Sequence, residues 1–242
     1  MNNLMNWVGM GMMSLMTVLL LAACDDEDSD QNGASAAQLR VIHLSADAPA
    51  VDVFVDMDAT PVVSNLAFGS GTEYLSLNAG SYDIDVSAAG STAADSVLAV
   101  DGLTLMAGSA YTAVAFNELA SLQALALKDD IATSSAGNIS VRAIHTAVGV
   151  GEVDIWNIPD TGDPEPLYEN VGFGIAGDYL DLPAGAYTLG IDVDDDANPD
   201  LVFELPDLAG GSIANVFAVN DGTDVYLLAQ LQDSTVARID AN

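Results

Sequence analysis

The feature that most restricts the fold is an internal duplication. Leu39-Arg40-Val41-Ile42-His43 returns as Val141-Arg142-Ala143-Ile144-His145, and Val51-Asp52-Val53-Phe54 returns at the same offset as Val153-Asp154-Ile155-Trp156. Phe68-Gly69 matches Phe173-Gly174, and Ala115-Phe116-Asn117 matches Ala218-Val219-Asn220. Tyr74-Leu75-Ser76-Leu77-Asn78-Ala79-Gly80-Ser81-Tyr82 matches Tyr179-Leu180-Asp181-Leu182-Pro183-Ala184-Gly185-Ala186-Tyr187. The offset drifts by only a few residues, which is what loop insertions between otherwise equal units produce. Two tandem copies follow, each of about 100 residues, an ordinary domain size.

Within each copy the hydrophobic period is two. Val51, Val53 and Val55 alternate with Asp52, Phe54 and Asp56, while Tyr82, Ile84 and Val86 alternate with Asp83 and Asp85. Tyr187, Leu189, Ile191 and Val193 repeat the pattern. These are strands with one wet face. Leu39–Leu44 and Tyr111–Phe116 are apolar on both faces, as central strands are. Asn78-Ala79-Gly80, Asp101-Gly102, Pro183-Ala184-Gly185 and Asp221-Gly222 supply turns between the runs, and no long 3.6-residue period competes. The expectation is an all-β chain of two tandem immunoglobulin-like β-sandwich domains, residues 38–130 and 138–242, joined by a linker at 131–137.

The N-terminus reads as an address. Residues 1–23 carry no charged side chain, and the apolar run ends at Leu21-Ala22-Ala23-Cys24, which resembles a bacterial lipobox. The expectation is a cleaved lipoprotein signal peptide at 1–23 and an acylated Cys24. Acyl chains contribute about 0.8 kcal/mol per buried CH₂, so two or three together make a stable anchor. A membrane-spanning helix fits less well, because Asp25, Asp26, Glu27 and Asp28 follow at once instead of a basic stop-transfer flank. Residues 24–37 then form a lipidated, acidic, self-repelling tether. The implied location is the cell envelope, lipid-anchored to a bacterial membrane and facing the periplasm or the exterior.

Charge narrows the function classes. Four basic residues stand against 36 acidic ones, a net charge of −32. No basic stripe exists to release counterions, which excludes nucleic acid as a partner. Half of the residues are hydrophobic, too many for a disordered acidic chain. One Cys rules out a disulfide framework or a Cys-rich zinc module.

The stretch Arg40-Val41-Ile42-His43-Leu44-Ser45-Ala46-Asp47-Ala48-Pro49-Ala50-Val51-Asp52-Val53 resembles the opening of the bacterial domain-of-unknown-function family 4397. Leu77-Asn78-Ala79-Gly80-Ser81-Tyr82, Gly102-Leu103-Thr104-Leu105 and Ala110-Tyr111-Thr112 fit the same family. The second copy lacks the Asp-Ala-Pro turn and has Val148-Gly149-Val150-Gly151 instead. The resemblance implies a secreted or envelope-anchored β-domain, often in tandem, and it supplies no activity.

Three residue sets carry candidate chemistry. His43 and His145 are the only histidines; each lies three residues after Arg40 or Arg142, on the opposite strand face, so neither pair makes one local site. Each His reads as a strand residue bonded to a neighbouring turn. Asp52 and Asp154 read as acceptors of backbone N–H groups or as the partners of Arg40 and Arg142. Asp192, Asp194, Asp196, Asn198 and Asp200 copy the odd-position spacing of a calcium loop, but Ala197 stands where the loop needs Gly and Phe203 where it needs Glu. A solvated acidic turn is the stronger reading, a weak Ca²⁺ site the alternative; no other cofactor is expected. No nucleophile elbow, metalloprotease motif or phosphate loop is present. The chain therefore reads as no enzyme, but as a non-catalytic binding or structural module for an envelope protein or glycan. The alternatives are a calcium-stabilised adhesin-like surface stalk and an accessory domain of a secreted hydrolase system.

Overall fold

A computed structural model describes residues 35–129, 134–135 and 137–242. The expected signal peptide, Cys24 and nearly all of the tether lie outside the described residues, as do 131–133 and 136 of the expected linker. Among the described residues no helix is long and apolar enough to cross a membrane.

The first repeat contains β1 (Ala36–Leu44), β2 (Val51–Val55), β3 (Val63–Leu66), β4 (Leu75–Asn78), β5 (Gly80–Ala88), β6 (Leu98–Leu105), β7 (Ala110–Phe116) and β8 (Gln123–Asp129). They form two sheets, ordered β4-β1-β7-β8 and β3-β2-β5-β6. The second repeat has β9 (Asn138–His145), β10 (Val153–Asn157), β11 (Glu165–Val171), β12 (Leu180–Pro183), β13 (Gly185–Asp192), β14 (Leu201–Leu208), β15 (Ile213–Asn220), β16 (Val225–Leu231) and β17 (Val236–Asp240). Its sheets are β12-β9-β15-β16-β17 and β11-β10-β13-β14, the same plan with one strand added. The chain is all-β, and each repeat is a sandwich of the immunoglobulin-like kind. Its strand order differs from the constant-type immunoglobulin domain in that the first and seventh strands pair in parallel, Gln38↔Ala110 to Leu44↔Phe116 and Ile213↔Ser140 to Ala218↔His145.

Alternation along β1 and β7 explains how the repeats meet. Leu39, Val41, Tyr111 and Ala113 face the first sandwich's own core with Val53, Ile84 and Val86. Ile42, Leu44, Val114 and Phe116 point the other way and join Ile144, Phe217, Val219, Tyr226 and Leu228 of the second repeat in a single buried cluster. The two sheets that hold these residues, here the medial sheets, therefore bury both faces. That is why their strands read as apolar throughout. The described residues form one compact unit, with four sheets stacked as lateral, medial, medial and lateral layers. Gly71 shows how closely the repeats approach: a Cβ there would lie 2.8 Å from Gln230 Nε2 and 3.2 Å from Val236.

Candidate functional site

The centre of the medial contact is ionic. Arg40 on β1 and Arg142 on β9 occupy equivalent medial positions, each beside the strand that pairs with it in parallel. Arg40 Nε donates to Thr112 Oγ1 at 2.9 Å and lies 3.7 Å from Asp129 Oδ2. Arg142 Nε donates to Asn215 Oδ1 at 3.1 Å, and its Nη2 donates to Asp129 Oδ1 at 2.9 Å. One carboxylate thus serves both guanidinium groups. Thr112 Oγ1 donates to Asp129 at 2.6 Å, Asn215 Nδ2 at 3.1 Å and Tyr74 OH at 2.7 Å. Each arginine also reaches across to the other repeat, Arg40 Nη1 to Leu231 O at 2.6 Å and Arg142 Nη1 to Lys128 O at 3.0 Å.

The cluster is buried, and in it two guanidinium groups face one carboxylate. Arg40, Arg142, Asp129, Thr112 and Asn215 are all buried. The tyrosine faces also meet these cations: the Arg40 guanidinium lies 4.6 Å from the Tyr74 ring centre and that of Arg142 lies 4.4 Å from Tyr179. Burial, with Asp129 beside it, drives the Tyr74 hydroxyl far above its usual pKa; burial also pushes Tyr179 up to about 12. Both phenols therefore remain neutral donors.

Asp129 was not legible as a partner. Of the two roles the sequence offers Asp52 and Asp154, pairing with Arg40 and Arg142 or accepting backbone N–H groups, the structure shows the second. Asp52 accepts the Asn65 N–H at 2.7 Å and the Gly90 N–H at 2.8 Å, while Asp154 accepts the Asn170 N–H at 2.6 Å. Asn65 and Asn170 are the equivalent left-handed residues of β3 and β11, at φ 54° and 55°, beside register shifts in both strand pairs. The repeated Asp caps a repeated bulge. The missed partner lies at the end of β8, where the register Ala110↔Asp129 alone shows that it returns to the medial face.

The two histidines hold equivalent turns. His43 Nε2 meets Pro49 O at 3.2 Å and His145 Nε2 meets Gly151 O at 2.8 Å. Nδ1 accepts from Ser45 N in the first repeat and from Ala147 N in the second, both at 3.4 Å, so each ring takes the neutral tautomer with its proton on Nε2. The Val-Gly-Val-Gly turn thus offers a carbonyl where the Asp-Ala-Pro turn does. Desolvation lowers both imidazole pKa values, against the pull of the carbonyl.

Of the five oxygen donors with calcium-loop spacing, Asp192, Asp194 and Asp200 bring carboxylate oxygens within 4.8 Å of one another. Asp196 and Asn198 turn to each other instead, Asn198 N–H donating to Asp196 Oδ1 at 2.8 Å. Asp192 is buried and holds the turn, accepting N–H groups from Asp194, Asp195 and Ala197. The charge of Asp196, then partial desolvation, then Asp200 and Asp192, raise the pKa of Asp194.

Both repeats line a cleft at one end of the medial contact, about 320 Å³ in volume. Ala46, Asp47 and Glu118 form its first wall, and Gly149, Asn220 and Asp221 form the second. These are the loops after β1 and β7 and their counterparts after β9 and β15. Asp47 Oδ1 accepts the Leu119 N–H at 2.8 Å, and Asn220 Oδ1 accepts the Gly222 N–H at 2.6 Å, so the walls are tied to their own strands. Such a cleft offers carboxylates and amides to a polar ligand.

Residues 37–156 match the family described as "Domain of unknown function (DUF4397)". No curated protein matches the chain. Among solved structures it is similar to a streptococcal virulence factor described for alpha-glucan binding, at 13% identity and TM-score 0.26, over 78% of this chain and 95% of that one. It is also similar to a fimbrial assembly protein from Parabacteroides distasonis, at 10% identity and TM-score 0.26, over 84% and 98% of the two chains. The TIE protein of Bacillus anthracis matches at 13% identity and TM-score 0.25, over 77% of this chain and 34% of its own.

Two outcomes follow from the buried groups. Asp129→Ala leaves two buried cations without their anion and destabilises the chain by about 3–5 kcal/mol in urea unfolding, whereas replacing Arg40, Asp129 and Arg142 together with Met, Leu and Met restores most of that loss. The histidines, held neutral when folded, contribute stability that is complete above the unfolded pKa of about 6.5. Below that pH the unfolded chain takes up protons first, so stability falls as pH drops toward the lowered folded pKa values. The melting temperature of the wild type between about pH 7 and pH 5 thus falls more steeply than that of His43→Gln/His145→Gln.

Proposed function

Residues 37–156 belong to the DUF4397 domain family, and on that premise we propose that the chain is a non-catalytic binding module of the bacterial cell envelope, held to the membrane by a lipid on Cys24. The observation that carries the reading is the cleft: fusing the medial sheets brings equivalent loops of two repeats to one rim, and loops on a rigid scaffold are where binding concentrates. Its chemistry suits an envelope protein or glycan that offers hydroxyl or cationic groups. The sequestered histidines support a binding role over a hydrolytic one, because both ring nitrogens are engaged by backbone and both rings are buried.

The second reading, a calcium-stabilised stalk, is favoured by the convergence of Asp192, Asp194 and Asp200. Asp192 would serve it while still holding its turn, and the ion would relieve the repulsion on Asp194. Millimolar Ca²⁺ then raises the melting temperature of the wild type but not of Asp194→Asn; equal responses exclude the stalk.

The binding reading is tested by capture. Immobilised full-length chain is incubated with envelope extract, beside Ala46→Trp, which fills the cleft from an exposed position. At least about tenfold less bound material, with the melting temperature unchanged, is the expected result; undiminished capture overturns the cleft as the binding surface.

A further inference from the structure

The two modules differ at one sheet edge. In the second, β16 is covered: β17 pairs with it antiparallel, from Tyr226↔Asp240 to Gln230↔Val236. The chain then crosses to the lateral sheet, where Ala241 bridges Phe203 and the Asn242 N–H donates to Val202 O at 3.0 Å. Ile239 thereby enters the core, and Leu227 and Ala229 beneath the strand are 3% and 5% exposed. In the first module β8 ends its sheet, and among the described residues nothing pairs with its outer edge.

The consequence shows in the side chains. The register Ala113↔Ala126 and Ala115↔Ala124 sets Ala124 and Ala126 on the core-facing side of β8. They correspond to Leu227 and Ala229, yet both are exposed. A space of about 70 Å³, lined by Ala124 and Ala126 and by Leu98, Val100 and Leu103 of β6, lies beside them. It has room for the end of one aliphatic side chain. Core-facing positions open to solvent beside an unpaired edge are what an absent strand leaves.

We infer that the free edge of β8 accepts an extended segment of another protein, added antiparallel as β17 is added to β16. Main-chain bonds along β8 supply the affinity; the side-chain pattern supplies the selectivity. Copying β17 onto β8 sets an aliphatic residue, the counterpart of Ile239, over Ala124 and a small residue, the counterpart of Ala237, over Ala126. The residue between them takes the place of Arg238, on the opposite face of the strand beside Leu125. A foreign, basic segment fits better than a second copy of this chain, because two copies at −32 each repel and each copy's own β17 is committed to β16. The inference names the partner class for the envelope-binding reading and rests on that reading.

The probe is a synthetic peptide of Thr235–Asn242, with a second version carrying Asp240→Lys. Each is titrated into the full chain, and amide hydrogen exchange is followed across residues 123–129. The expected result is saturable binding, new protection on β8, and binding about threefold tighter for the lysine version at low salt. Ala124→Glu, at a position exposed in the free chain, is expected to weaken binding at least tenfold without changing the melting temperature. Absent protection, or equal binding to Ala124→Glu, overturns the inference. So does protection of β8 before peptide is added, which assigns the edge to a segment of this same chain. Concentration-dependent self-association that Ala124→Glu abolishes also overturns it, by assigning the edge to a second copy. A peptide that fails at β8 while Ala46→Trp still abolishes capture removes the strand acceptor and leaves the cleft standing.

Discussion

Asp129 stands between two arginines that come from different repeats, and the arrangement of the layers depends on that contact. A buried carboxylate with two guanidinium partners tolerates little displacement, since each ångström lost on one side leaves a charge in low dielectric. Around it the apolar cluster of Ile42, Val114, Phe116, Ile144, Phe217 and Leu228 supplies the hydrophobic gain. The division of labour is plain: the aliphatic and aromatic groups drive the repeats together, while the ionic cluster fixes how they register. The cluster is also where the duplication stops being symmetric. Thr112 stands where the second repeat has Asn215, and Asp129 where it has Gln232, so one acid serves both copies.

Fusion of the medial sheets determines what the molecule can present. Surfaces that would be the outer faces of two independent sandwiches are spent on each other, leaving the lateral sheets, the end loops and the strand edges. The end loops of both repeats converge because equivalent strands lead to them. The edges differ because, among the described residues, a closing strand is present in the second repeat and not in the first. Binding through a rim cleft and an open edge is the use such a layout suits.

Much of the fold was legible in the chain, for physical reasons. Alternation at Val51–Val55 and Tyr82–Val86 marks strands because only a period of two puts those side chains on one face. The all-apolar character of Leu39–Leu44 and Tyr111–Phe116 marks central strands, though their second apolar face meets the other repeat, which periodicity within one strand cannot reveal. The turn bonds of His43 and His145 were legible because their positions recur. The role of Asp129 was not, since it recurs nowhere and its facing depends on a register set by β7. Asp52 and Asp154 recur, but recurrence alone does not distinguish a bulge cap from an ion-pair partner; the left-handed Asn65 and Asn170 decide it. In the acidic loop the spacing gathers three carboxylates and leaves Asp196 and Asn198 facing each other, while Asp192 accepts the N–H groups of the turn.

The central claim is that the repeats constitute one folding unit joined through a shared buried ion cluster. Differential scanning calorimetry of the full chain tests it most directly. The account predicts one transition whose calorimetric and van't Hoff enthalpies agree; two resolvable transitions, each carrying roughly half of the heat, would contradict it.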